Sequence, residues 1–171
     1  MKPPHSRPSS LLEDRMTARI QLDPVRHREA FSAMLNLSAT VRAKLDHSLL
    51  HLIKVRVSQI NGCGFCIDMH TKDARLAGET EQRLYLLAAW REATVYSDRE
   101  RAALEWAEAV TRLERQQVPD EVYERARRFF SEEELVVLTL CIVEINGWNR
   151  LSIAFAKPAG DYRPGSLSTS A

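Results

Sequence analysis

From residue 25 onward apolar side chains recur at helical spacing, and where they fall predicts the architecture. Val25, Phe31, Met34, Leu35 and Leu37 form one stripe interrupted by Arg26, Arg28 and Glu29, so a first helix is expected from Pro24. A second starts near Asp46 to Ser48. Its Leu49, Leu50, Leu52, Ile53, Val55, Val57 and Ile60 are apolar almost all round, the mark of a central buried helix. A third follows Asn61-Gly62 and runs to Gly78, and a fourth covers 81–92 with Leu84, Leu86, Leu87, Ala88 and Trp90. Ser97-x-x-Glu100 is a capping box opening a helix over 102–113, whose core face is Leu104, Trp106, Ala107 and Val110. A shorter helix after Pro119-Asp120 carries Val122, Tyr123, Ala126, Phe129 and Phe130. A second box, Ser131-x-x-Glu134, leads into an apolar helix over 135–145. No segment sustains a period of two, so the expectation is an all-α domain of about seven or eight helices.

The ends differ from this pattern. Residues 1–20 carry three prolines, several serines and no apolar period, which predicts a flexible leader; Met16 is a candidate natural start beside Met1. The domain proper is expected over 21–157. Beyond it, 158–171 is polar and rich in Pro, Gly and Ser, a flexible tail or an arm for a neighbouring subunit. Ile60-Asn61-Gly62 and Ile145-Asn146-Gly147 each end a long apolar run, an echo that could repeat one packing unit broken at Asn-Gly.

A length of 171 residues suits a single domain with a substantial core. Lys and Arg number 24 against 23 Asp and Glu, a balance that gives no reason to expect nucleic acid or an anionic membrane as partner. No stretch approaches roughly 18 consecutive apolar residues, and the start has no secretory h-region, so a cytoplasmic protein is expected.

Three cysteines are too few for a secreted disulfide framework, and Cys141 sits in an apolar run as a small buried hydrophobe. The other two lie in Ser-Gln-Ile-Asn-Gly-Cys-Gly-Phe-Cys-Ile-Asp-Met-His at 58–70. Cys63 and Cys66 are three apart and His70 four further on, so on a helix all three project to one side. Asn61-Gly62 ends one helix in a left-handed residue and leaves both cysteines in the first turn of the next. There, unpaired N–H groups and the positive end of the dipole favour thiolate over thiol, and on that ground alone Cys63, nearer the terminus, is the more acidic. The set reads as a redox site. Two cysteines lining a helix contact beside a solvated histidine is the plain alternative, and structural zinc lacks an obvious fourth ligand.

Residues from about 25 to 156 resemble the carboxymuconolactone decarboxylase family, in its alkylhydroperoxidase D-like (AhpD-like) branch. The resemblance is carried by 58–75 (Ser-Gln-Ile-Asn-Gly-Cys-Gly-Phe-Cys-Ile-Asp-Met-His-Thr-Lys-Asp-Ala-Arg), by 77–84 and 88–92, and by Ile-Asn-Gly-Trp-Asn-Arg-Leu at 145–151. It implies an all-α fold assembling into trimers or hexamers, and a peroxiredoxin-like thiol peroxidase active without cofactor or metal. It further implies that Cys66 attacks the hydroperoxide, that Cys63 condenses with the resulting sulfenic acid, that an external dithiol or thioredoxin-like reductant reopens the disulfide, and that His70 belongs to the relay ionising Cys66. Where the family relay has a glutamate, twelve residues before the first cysteine, this chain has His51. Across a hairpin turned at Gly62, His51 and His70 come within about one helical turn, and if both charge they repel, which predicts weaker activity or a more alkaline optimum. Phe65 stands where the best-studied members have histidine and is expected to shape the peroxide pocket.

The remaining candidates carry less. Glu144 could replace the missing carboxylate, although a surface ion pair is the ordinary role for such a residue. Trp90, Trp106 and Trp148 read as core or subunit contacts, Lys72, Asp73 and Arg75 as a solvated helix face, and Arg56 and Arg150 as salt-bridge partners before substrate anchors. Two other functions compete. One is a non-catalytic or redox-sensing oligomer, which the missing glutamate favours; the other is lactone decarboxylation, which has no need of a dithiol.

Overall fold

The computed structural model describes residues 17–23 and 25–166. The expectations for the leader up to residue 16, Met16 included, and for the tail from 167 lie outside the described residues. Among the described residues seven α-helices follow one another: α1 (Arg28–Lys44), α2 (His47–Asn61), α3 (Gly64–Leu76), α4 (Glu81–Leu86), α5 (Asp98–Arg112), α6 (Asp120–Phe129) and α7 (Glu132–Ala154). A 3₁₀ turn, Leu87–Ala89, extends α4, and another, Glu114–Gln116, follows α5. No strand occurs among the described residues.

Local chemistry sets most boundaries. The Asp46 side chain accepts from Leu49 N–H and starts α2; Gly62 at φ 68° ends it. Ser97 with Glu100 and Ser131 with Glu134 form the two capping boxes that open α5 and α7. The fourth helix is shorter than its apolar run predicts. It passes into the 3₁₀ turn at Leu87, and Arg101 of α5 donates to the carbonyls of Trp90, Arg91 and Ala93 in the chain beyond that turn.

The second helix is the axis of the molecule, with Leu49, Leu50 and all of 52–58 buried, and it packs against α3, α5 and α7. Each such fully buried Leu, Ile or Val stabilises the fold by about 1.5–3 kcal/mol. Its one buried arginine, Arg56, pairs with Glu108 of α5, which also accepts from Trp90 Nε1 at 2.9 Å and Arg91 at 2.7 Å. Burial pushes the Glu108 carboxyl up, but these hydrogen bonds outweigh it and hold the group ionised.

The last helix corrects the expected break at the second Asn-Gly. It runs on through Asn146-Gly147 to Ala154. Gly147 serves close approach here, since a Cβ at that position would lie 2.8 Å from Met34 Cε of α1. This helix is long and apolar enough to cross a membrane, yet it packs against α1, α2 and α5 with Glu144, Asn149 and Ser152 buried in the protein.

Both ends of the described chain are fastened. Arg19 N–H donates to Phe155 C=O at 2.8 Å. The segment 158–166, part of the stretch expected as a flexible tail or an arm for a neighbouring subunit, runs along α3: Lys72 Nζ donates to the carbonyls of Gly160 and Tyr162, Gly160 N–H to Asp68, and Tyr162 Oη–H and Gly165 N–H to Asp73. Lys72 and Asp73 are therefore the mooring of this strap and not a solvated face.

Candidate active site

Cys63 is the N-cap of α3 and Cys66 stands in its first turn. Gly62 supplies the left-handed residue that lets the chain leave α2 and re-enter a helix one residue after it, which fixes both sulfurs at the positive end of the α3 dipole. Both cysteines are only 1% exposed. Hydrogen bonding from the Cys66 thiol, with further help from Ser152 and Asn149, lowers the Cys63 pKa to about 7 against the opposing effect of burial. Its own hydrogen bond to Cys63, burial and the neighbouring charge push Cys66 the other way. The two sulfurs thus hold one proton and one negative charge between them, and it is the second ionisation that is driven out of reach.

The polar groups facing the sulfurs come from α7. Cys66 Sγ lies 3.7 Å from Ser152 Oγ, and Asn149 Nδ2 donates to Ser58 Oγ at 3.0 Å while its Oδ1 accepts from Asn61 at 2.9 Å. Asn61 also donates to Asn146 Oδ1, so the asparagines of the two Ile-Asn-Gly runs bond to each other and tie the α2 turn to α7. Sequence reasoning missed Asn149 and Ser152. Their signal was a polar register of three, Asn146, Asn149 and Ser152, on a helix otherwise apolar.

Of the residues singled out from sequence, Cys63, Cys66 and His70 share the buried face of α3, and His51 stands on α2 close enough for its charge to act on His70. No hydrogen bond joins His70 to Cys66 or to His51 among the described residues, and His51 Nδ1 is buried without a partner. Burial, then the Lys54 ammonium, then His51, hold the His70 pKa well below its ordinary value. Burial likewise lowers His51, and Asp73 opposes that effect without reversing it. The pair is kept neutral by desolvation, so mutual repulsion does not arise near neutrality.

Glu144 is neither on the surface nor against the imidazoles. It is 1% exposed, Lys54 Nζ sits 3.0 Å from Oε2 and 3.1 Å from Oε1, and Ser38 Oγ–H donates to Oε1. A buried carboxylate so placed needs its ammonium, and Lys54 in turn puts a positive charge beside His70. Trp148 donates to Ser38, Trp106 to Thr139 and Trp90 to Glu108, which makes all three tryptophans packing residues with a satisfied N–H. Arg150 caps Asn146, and Cys141 is fully buried, its thiol pushed up to about 12 by desolvation.

An all-helical domain with a C-x-x-C pair at a helix start, backed by two imidazoles, is the class that fold and site define. The model of the carboxymuconolactone decarboxylase family matches residues 27–109. The chain is 49% identical over 132 residues to the uncharacterized Bacillus subtilis protein YdfG, covering 77% of this chain and 90% of YdfG. It therefore belongs to the carboxymuconolactone decarboxylase family, with an AhpD-like fold. A solved structure from Agrobacterium tumefaciens, a protein of unknown function for which a role as the antioxidant defence protein AhpD has been suggested, is 41% identical, with TM-score 0.80 over 85% of this chain and all of that one. The debrominase Bmp8 has the same fold at 18% identity and TM-score 0.69, over 80% of this chain and 74% of that one, a likeness of fold alone.

Proposed function

We propose that this protein is a thiol-dependent hydroperoxide reductase in which Cys66 attacks and Cys63 resolves. The observation that carries the reading is the placement of both sulfurs at the start of α3, with Ser152 Oγ 3.7 Å from Cys66 Sγ, which favours a first ionisation at about 7. A thiolate available near neutrality is what nucleophilic attack on peroxide requires. The shared proton rests on Cys66, and in the reacting form it passes to Cys63 and leaves the charge on Cys66, which gives its electron pair to the terminal oxygen of ROOH. The O–O bond breaks, Cys66 becomes a sulfenic acid, and RO⁻ leaves to take a proton and become ROH. The Cys63 thiol then attacks that sulfenic acid, losing water and forming the disulfide, which an external dithiol or thioredoxin-like reductant reduces. We assign the proton released from the dithiol to neutral His70 and then His51, a transfer for which they must approach more closely than in the resting structure, where no hydrogen bond joins them among the described residues. We place the protein in the cytoplasm as a homo-oligomer, a trimer or hexamer, with an exposed apolar stripe on α7 as its contact face.

A redox-sensing role is the second reading, and the 1% exposure of both thiols favours it, because a covered pair meets peroxide rarely. Consumption of an organic hydroperoxide with a dithiol reductant, followed from about pH 6 to about pH 9, separates the two. Wild type is expected to turn over, Cys66→Ser to be inactive, and His51→Glu, which returns a carboxylate to the relay, to be faster at the acid end. Inert wild type with active His51→Glu would overturn the peroxidase reading in favour of the sensor.

A further inference from the structure

Lys157 takes no part in the dithiol or its imidazoles, yet the fold carries it back to them. The chain leaves α7 through Ala156, at φ 51°, and Lys157 N–H donates to Ser152 C=O at 2.9 Å, on the residue whose hydroxyl faces Cys66. The turn sends the strap across the first turn of α3. A Cβ built on Gly64 would lie 3.6 Å from Ala159 Cβ, and Lys157 Nζ stands 3.7 Å from the centroid of the Phe65 ring. Gly64 and Phe65 are the two residues between the cysteines. The strap is held in this register by Asp68, Lys72 and Asp73, and by the edge of Tyr162 against Phe65.

No carboxylate pairs with Lys157 among the described residues. A half-buried ammonium with only an aromatic face for company loses hydration that the contact does not fully replace. The groups around the sulfurs leave one anion for it. From α7 the dithiol meets neutral Ser152 and Asn149. Its own helix carries neutral His70 on the same face, on which Lys54 and His51 of α2 and Arg42 of α1 act, and Asp68 on the strap side is already paired with Lys72 at 2.8 Å.

We propose that Lys157 is the counter-ion of the ionised dithiol, an ammonium positioned by the strap over Phe65 so that negative charge on the sulfur pair is favoured before any peroxide arrives. Burial lowers the lysine's own pKa, and the charge of Cys66 and Cys63 opposes that effect without reversing it. The proposal rests on the peroxidase reading only for its consequence in turnover, since the charge pairing exists without substrate. It also gives the strap a use: moored on α3, it delivers a cation to a site whose family relay has lost its carboxylate.

The test is the ionisation of the full-length reduced protein, followed by the ultraviolet absorbance of the thiolate and by the rate of alkylation, from about pH 5 to about pH 9. Cys141, with its thiol at about 12, stays silent in that range. Lys157→Met is expected to move the thiolate midpoint up by about one pH unit, with alkylation near neutrality slowed by up to about tenfold. Lys157→Arg keeps the charge and is expected to stay near wild type, and both variants should keep the wild-type unfolding midpoint. An unchanged midpoint in Lys157→Met overturns the proposal, as does a Lys157→Arg variant shifted equally. Hydroperoxide turnover is scored separately: a shifted midpoint with inert wild type leaves the counter-ion standing and removes the peroxidase, whereas active wild type with an unshifted Lys157→Met does the reverse.

Discussion

His70 is a titratable side chain that the folded protein refuses to protonate. At 8% exposure, with the Lys54 ammonium and His51 beside it, its pKa lies well below the ordinary 6.5. The unfolded chain takes up a proton below about pH 6.5 and the folded one does not, so the unfolded state binds more protons and stability falls as the solution is acidified. The slope is at most about 1.4 kcal/mol per pH unit for one such group, and His51, also lowered by burial, adds to it with the same sign. Cys63 acts on the alkaline side, where a folded value of about 7 against 9.0 for an ordinary thiol makes stability rise between those pH values. Cys66 and Cys141, whose thiols the fold pushes up, act with the opposite sign as the pH nears 9.0, so thermal unfolding should give a midpoint that climbs from about pH 5 to about pH 8 and then levels off, and His70→Asn should flatten the acid limb. An acid limb of equal steepness in that variant would place the linkage elsewhere. The four residues proposed for the site, Cys63, Cys66, His70 and His51, stand out in the sequence because their chemistry is tied to spacing along one or two helices. Asn149, Ser152 and Lys157 do not, because the first two lie on, and Lys157 just follows, a helix whose end the sequence pattern sets nine residues too early, at 145 where the structure has Ala154.

That displaced end turns on two glycines in identical local sequence, Ile60-Asn61-Gly62 and Ile145-Asn146-Gly147. Only the first breaks a helix. Gly62 adopts φ 68° with open space around it, whereas Gly147 is helical, faces Met34, and follows an Asn146 whose side chain donates to Ile142 C=O within the same helix. Helix punctuation by Asn-Gly is thus decided by what packs against the glycine, which periodicity does not encode. The two positions should respond differently to alanine. Gly62→Ala places a Cβ in a left-handed residue and is expected to cost about 1–2 kcal/mol. Gly147→Ala gains up to about 1 kcal/mol of helix propensity, set against moving the flexible end of Met34, and is expected to be near neutral. Denaturant unfolding of the two variants measures both, and a Gly147→Ala loss as large as that of Gly62→Ala would show that α1 cannot yield there. Capping boxes and apolar periods made the remaining helix starts legible. The passage of α4 into a 3₁₀ turn at Leu87 was hidden because apolar spacing does not separate the two helix types over so short a run.

For the molecule as a whole, α7 faces two environments. Its inner side carries Glu144, Asn149 and Ser152 to the ion pair and the sulfurs, while Val136, Leu140 and Val143, at successive helical turns, are 55%, 38% and 52% exposed. Leu35 on α1, the helix packed alongside, is also exposed. Isolated surface apolar residues are ordinary, but a stripe with this spacing on the most apolar helix of a domain matches what a subunit contact needs. The same helix that would be covered by a neighbouring copy holds Asn149 and Ser152 against the dithiol, so assembly should steady the site as well as hide the stripe. Light scattering on the eluted protein is expected to give a mass that is a whole multiple of the chain's, and Val136→Glu with Val143→Glu should bring it to that of one chain with helical content unchanged. Loss of assembly should also raise alkylation of the cysteines in that double variant, as α7 loosens over α3. A wild-type mass equal to one chain would remove the α7 contact from the proposal, and an unchanged mass in the double variant would move the interface to another face.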